Sequence, residues 1–291
     1  MDKKTNVPQR IFPSAQQDAE VVAKSTPLPQ TEHPSYRLAF QDTEFLLREE
    51  LRPVRFQLEL LKPEMILQEH GINSTFVMYG SARIPSPDAA DALVAAARTD
   101  WERTVAERLR AKAKYYDEAY RLAKLVSSLP QQNGERHFVV CSGGGPSIME
   151  AANRGAHDAG RESVALNIVL EHEQMPNEFV TPSLSFQFHY FALRKMHFLL
   201  RARAVAVFPG GFGTFDELFE TLTLIQMKKI KPMPLLLFGR EFWERVVDFE
   251  ALAEEGTISR GDLDLFHFVE TAEEAWEVVA GFYELGAMQP C

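Results

Sequence analysis

Two carboxylates, a threonine hydroxyl and three glycines are packed into Pro209-Gly210-Gly211-Phe212-Gly213-Thr214-Phe215-Asp216-Glu217. The segment follows an apolar run, Val205-Ala206-Val207-Phe208, and opens a helical pattern. Glycines let a backbone approach a ligand, and the free amides of a helix start attract an anion. Glu217 beside that anion offers acid–base chemistry. A plainer reading is equally open. Thr214 and Glu217 have the T-x-x-E spacing of a capping box, which stabilises a helix start by about 1 kcal/mol and does no chemistry.

Ser142-Gly143-Gly144-Gly145-Pro146-Ser147, again between an apolar run and a helical pattern, is a second anion cradle or a structural turn. It is not the G-x-G-x-x-G fingerprint, because Ile148 stands where the third glycine is required. That argues against a nicotinamide-dependent oxidoreductase. In Gly80-Ser81-Ala82-Arg83, Ser81 offers a hydroxyl and Arg83 a forked guanidinium for an anion, or the four form a turn with a surface arginine. Arg194, His197 and Arg201 share a helix face by spacing, with Lys195 adjacent, either toward a ligand or as solvated cations. The histidines lack H-E-x-x-H or similar spacing, so no metal is expected, and no G-x-S-x-G elbow occurs.

The 291 residues carry a net charge of −10, which disfavours a nucleic-acid partner. Cys141 and Cys291 are too few for a disulfide framework or a thiolate zinc site, and a reducing cytoplasm is expected. Apolar runs such as 233–238 fall far short of the roughly 18 residues of a membrane span, and no signal peptide follows the N-terminal lysines. Residues 1–35, rich in proline and polar residues, are expected to be a disordered tail. Residues 36–73 read as a helical extension broken near Pro53 and Pro63.

From residue 74 to 291 short apolar runs alternate with helical patterns. Strands are expected at 74–79, 137–141, 163–169, 185–190, 204–208, 234–238 and 265–269. Helices are expected at 147–159, 191–201, 215–228, 241–255 and 271–285, with one or two more in 87–128. Continuous apolar strands suit a sheet covered on both faces, so the expected class is α/β, a doubly wound, Rossmann-like parallel sheet. In such a sheet ligands bind beyond the carboxyl ends of the strands, where all three loops lie.

Taken together, P-G-G-x-G-T-x-x-E at 209–217, Arg194-Lys195 and the triple glycine at 143–145 resemble the Lonely Guy family of phosphoribohydrolases, often labelled lysine decarboxylases, over roughly residues 74–250. The helical prefix resembles the longer bacterial branch. The chain departs from the family pattern at Ser147, where that branch has glycine, and at Ala192, where a histidine is common. The resemblance implies hydrolysis of the N-glycosidic bond of a nucleoside 5′-monophosphate, AMP or an N6-substituted AMP such as a cytokinin riboside monophosphate, with no cofactor. It implies catalytic roles for Glu217 and Arg194, and a phosphate site made by Gly143, Gly144, Gly145, Gly210, Gly211, Gly213 and Thr214. Ser81, Arg83 and Lys195 would line the cleft. A homodimer or higher homo-oligomer is also implied, packed through the helix with Thr223 and Gln226. The other reading is a carrier that binds a nucleotide-like cofactor without turnover.

Overall fold

The computed structural model of the chain describes residues 12–131, 134–171 and 175–285. Residues 1–11 of the expected tail, and Cys291, lie outside the described residues. The chain divides into two compact units, 1–58 and 59–291. In the first, α1 (Ala15–Val22), α2 (Pro29–Glu32) and α3 (Thr43–Leu46) bury no residue. Ser14 and Gln17 cap α1 reciprocally, so helix forms locally in part of the segment expected to be disordered. Helix α4 (Arg52–Glu69) begins in this unit and runs into the second.

The second unit continues with β1 (Thr75–Tyr79), α5 (Pro87–Ala95), α6 (Asp100–Ala111), α7 (Lys114–Ser127), β2 (Val139–Ser142), α8 (Ile148–Asp158), β3 (Val164–Ile168) and β4 (Ser185–Phe188). It ends with α9 (Phe191–Leu200), β5 (Ala202–Val207), α10 (Phe212–Gln226), β6 (Leu235–Phe238), α11 (Arg240–Val246), α12 (Phe249–Glu254), β7 (His267–Val269) and α13 (Ala272–Phe282). Among the described residues, all seven strands lie where the apolar runs place them. They form one parallel sheet in the order β4-β3-β2-β1-β5-β6-β7. On β1, Phe76 and Met78 join the cluster formed with α7, α8 and α13. Tyr79 meets Phe198 of α9 edge-on, at 5.0 Å between ring centroids. The two-residue alternation thus places buried side chains on both faces, as an α/β sheet requires.

Helix boundaries differ more from expectation. Residues 87–128 hold three helices, because Thr99 and Glu102 form a capping box that starts a new one. Asp248 accepts from the Ala251 amide and divides the expected 241–255 helix into α11 and α12. Helix α4 continues through Pro63 instead of breaking there. Pro63 has no N–H for the carbonyl of Glu59 four residues earlier, and Nε2 of His197 bonds to that carbonyl at 3.2 Å. A side chain on α9 therefore satisfies the group the proline leaves open.

Helices α7 and α8 cross closely at Gly155. A Cβ there would stand 2.8 Å from Cβ of Ala123 and nearer still to the Tyr120 carbonyl. Alanine would favour helix by about 1 kcal/mol, whereas overpacking costs about 1–3 kcal/mol. Gly155→Ala is expected to lower the denaturant midpoint, and a raised midpoint would show that the crossing relaxes.

Candidate active site

Strands β1 to β4 step to one side of the sheet, and β5 returns to the other side of β1. The crevice at such a reversal is where an open α/β sheet receives ligands. The loops after β1, β2 and β5 all end there. The Ser81 amide donates to the Pro209 carbonyl at 3.2 Å, joining the first loop to the third. Gly80 leaves room for Ile148 at the start of α8, joining the first to the second. The Ser81 hydroxyl accepts from the Arg83 amide at 3.0 Å, and Arg83 itself is exposed.

The triple-glycine loop is held by two side-chain amides that the sequence reading passed over, Asn153 buried and Asn177 half-buried. Ser142 Oγ donates to Asn153 Oδ1 at 2.7 Å and accepts from the Gly144 amide at 3.0 Å. Asn153 Nδ2 donates to Ser163 at 3.0 Å. Asn177 Nδ2 donates to the carbonyls of Gly144 and Gly145 at 3.1 and 3.0 Å. The signal was Asn153 on the apolar face of α8, between Ala152 and Ala156. Gly144 has φ +77°, a conformation glycine adopts freely. A Cβ on Gly143 would stand 2.8 Å from Nη2 of Arg194, so glycine here makes room for the guanidinium.

Ser147 has φ 67° and ψ −124°, which strains a residue with a Cβ. Glycine would take this conformation without strain. Here the serine hydroxyl donates to the Ile84 carbonyl, tying α8 to the first loop.

Helix α10 begins at Phe212, with Gly211 as its N-cap and no side-chain cap. Thr214 is thus inside the first turn, which overturns the capping-box reading of Thr214 and Glu217. The amides of Phe212, Gly213 and Thr214 lack intrahelical acceptors, as at any helix start. Gly210 packs on the buried Thr214 side chain, with a built Cβ 2.6 Å from Thr214 Cβ. Gly211 and Gly213 face open space and have no left-handed φ. Neither packing nor backbone conformation requires glycine at these two positions. Phe212 between them is 97% exposed.

Arg194 and Glu217 meet at this reversal. Arg194 Nη1 lies 3.4 Å from Glu217 Oε1, with side chains 10% and 13% exposed. Arg194 Nε donates to the Leu166 carbonyl at 2.7 Å, and the Phe198 ring lies 4.9 Å from the guanidinium carbon. Burial pushes the Glu217 carboxyl up to about 7; Arg194 opposes that shift and Asp216 adds to it. Lys195 is paired with Asp216 at 2.9 Å and Glu220 at 3.1 Å, bracing α9 against α10. The shared face expected for Arg194, His197 and Arg201 is split among three partners: Glu217, the Glu59 carbonyl, and Glu64. Of the expected packing residues, Gln226 donates to Asp262 at 2.8 Å and Thr223 donates back to the Phe219 carbonyl at 2.6 Å.

The raised Glu217 value makes stability depend on pH. The folded state holds the proton more tightly than the unfolded chain, so this stabilisation is complete below about pH 4.3 and is lost as pH rises through about 7. Glutamine removes the effect. Glu217→Gln is expected to gain about 2–3 kcal/mol relative to wild type between pH 5 and pH 8, the opposing effect of Arg194 being already contained in the raised value. Denaturant titrations at the two pH values test this, and an equal difference at both would refute it.

Residues 149–279 match the family model described as possible lysine decarboxylase. The chain is 29% identical to the Arabidopsis thaliana cytokinin riboside 5′-monophosphate phosphoribohydrolase LOG2, over 51% of this chain and 67% of that protein. It is 27% identical to LOG4 of the same name and organism, over 47% and 63%. Among solved structures it is similar to the Moco carrier protein of Chlamydomonas reinhardtii, with TM-score 0.44 and 15% identity, over 73% of this chain and 98% of that one. Over the matched residues the chain is similar to the Lonely Guy phosphoribohydrolases.

Proposed function

We propose that this protein hydrolyses the N-glycosidic bond of a nucleoside 5′-monophosphate, releasing free base and ribose 5-phosphate. The observation that carries the reading is a buried carboxyl near pH 7, Glu217, set against Arg194 where two glycine-opened helix starts converge. The free amides of α8 and α10 hold the 5′-phosphate, with the Thr214 hydroxyl beside them. Gly143, Gly144, Gly145, Gly210, Gly211 and Gly213 form the loops around it. Ionised Glu217 orients a water and stabilises the positive charge that develops on the ribose as the bond to the base breaks. The water's hydroxyl goes to the anomeric carbon and its proton ends on the base. Arg194 keeps Glu217 partly ionised and steadies the leaving group. Ser81 and Arg83 border the cleft. AMP or an N6-substituted AMP is the proposed substrate class, and relatives named for cytokinin riboside 5′-monophosphate support a 5′-monophosphate.

Chromatography after incubation with purine and pyrimidine 5′-monophosphates, beside their nucleosides, tests the reading. Base release is expected from one nucleotide class and not from nucleosides. Glu217→Gln is expected to lower kcat by about 10²-fold or more. Tight nucleotide binding with no release would instead favour a carrier. Because the active form is the carboxylate, kcat/KM is expected to rise with pH through about 7, and a falling profile would reverse the role of Glu217.

Gly213→Ala separates structure from binding. The added methyl meets nothing within 4 Å and favours helix, so stability is expected to hold or rise by up to about 1 kcal/mol. The same methyl obstructs the phosphate, and KM is expected to rise about tenfold or more. An unchanged KM would move the phosphate away from this turn.

A further inference from the structure

We propose that Glu59 is a positioning residue for Arg194: its carboxylate fixes the start of α9 and so sets how the guanidinium meets Glu217. Oε1 of Glu59 accepts from the His189 amide at 2.8 Å and Oε2 from the Tyr190 amide at 3.1 Å. Tyr190 is the N-cap of α9 and supplies no side-chain cap of its own. A carboxylate delivered by α4 takes that place, where the helix dipole favours negative charge. The Tyr190 carbonyl in turn accepts from the Arg194 amide at 3.1 Å. Glu59 is therefore two hydrogen bonds from the backbone of Arg194.

The same residue holds α9 a second time. Its carbonyl, left open by Pro63, accepts from Nε2 of His197. Farther along, Glu64 accepts from Arg201 at 2.9 and 3.2 Å, and Arg201 also donates to the Ile72 carbonyl at 2.6 Å. Glu64 thus holds the far end of α9, and Glu59 holds the turn that carries Arg194.

Position along α9 matters because of which charges face Glu217. They are Arg194 and Lys195 on α9 and Asp216 and Glu220 on α10; Tyr79 on β1 and Cys141 on β2 also face this carboxyl, and burial raises both so that they stay neutral. Both cations belong to α9. Loosening the start of that helix removes positive charge from Glu217 and leaves its acidic neighbours in place, so the carboxyl must hold its proton to higher pH. The inference rests on reading Arg194 and Glu217 as the working pair, but its test requires no turnover.

The test follows the side-chain carboxyl of Glu217 by carbon NMR in protein made with labelled glutamate, the resonance being identified by its absence in Glu217→Gln. In Glu59→Gln the titration midpoint is expected to rise by about half a pH unit or more over wild type. Glu64→Gln, which weakens the other end of the same contact, is expected to leave it unchanged. If Glu59→Gln does not fold, Glu59→Asp, still charged but one methylene shorter, is expected to shift the midpoint in the same direction. An unchanged midpoint in a folded Glu59 variant overturns the proposal, as does an equal rise in Glu64→Gln. Where base release is observed, the acid limb of its pH profile should move by the same amount in Glu59→Gln. Absence of base release in wild type would count against the hydrolase reading and leave the carboxyl titration as the measure of positioning.

Discussion

Burying Glu217 against Arg194 is the constraint around which the reversal of the sheet is organised. Removing two charges from water costs several kcal/mol per ion unless geometry and further hydrogen bonds compensate. Compensation here is partial. Arg194 directs Nε at the Leu166 carbonyl and meets Glu217 through a single 3.4 Å contact, and the carboxyl remains near 7 rather than falling below its ordinary value. A pair arranged for stability would be bidentate. This one leaves a carboxyl that changes charge near neutral pH, and the surrounding structure must hold it there.

Three sets of polar contacts do so. The Asn153 and Asn177 amides hold the triple-glycine loop through its carbonyls and through Ser142. Lys195 bridges Asp216 and Glu220 and so ties α9 to α10. Within the second unit, the part of α4 from Glu59 onward grips α9 through Glu59 and Glu64. Ser147 shows the same pattern on a smaller scale, its strained backbone being accepted beside a hydroxyl that ties two loops together.

The sheet was legible because parallel strands covered on both faces must be nearly continuous apolar runs, and Val205 to Phe208 or Leu235 to Phe238 can hardly be anything else. The glycine loops were legible for a local reason, the cost of a Cβ near a close approach. What could not be read depends on partners distant in sequence. Proline inside a helical pattern ordinarily signals a break, and Pro63 does not break α4 because His197 takes up the Glu59 carbonyl. Glu59 looks like any surface acid until α9 lies across it. Thr214 and Glu217 have capping-box spacing, yet glycine at 211 lets the helix start earlier and converts an apparent cap into part of the first turn.

The glycines of the two loops then separate by cause. Gly143 yields to Arg194, Gly144 adopts a left-handed conformation beside Asn167, and Gly210 yields to Thr214. The fold explains these three without any ligand. Gly211 and Gly213 are different, since a side chain there would meet open space and, at 213, would favour the helix. Internal packing therefore provides no reason for glycine at either place. What glycine alone offers at a helix start with free amides is close approach by something outside the chain, and an anion is the group those amides attract. Gly213, which neither packing nor helix stability needs, is thus the glycine on which the proposed phosphate beside Glu217 most directly rests.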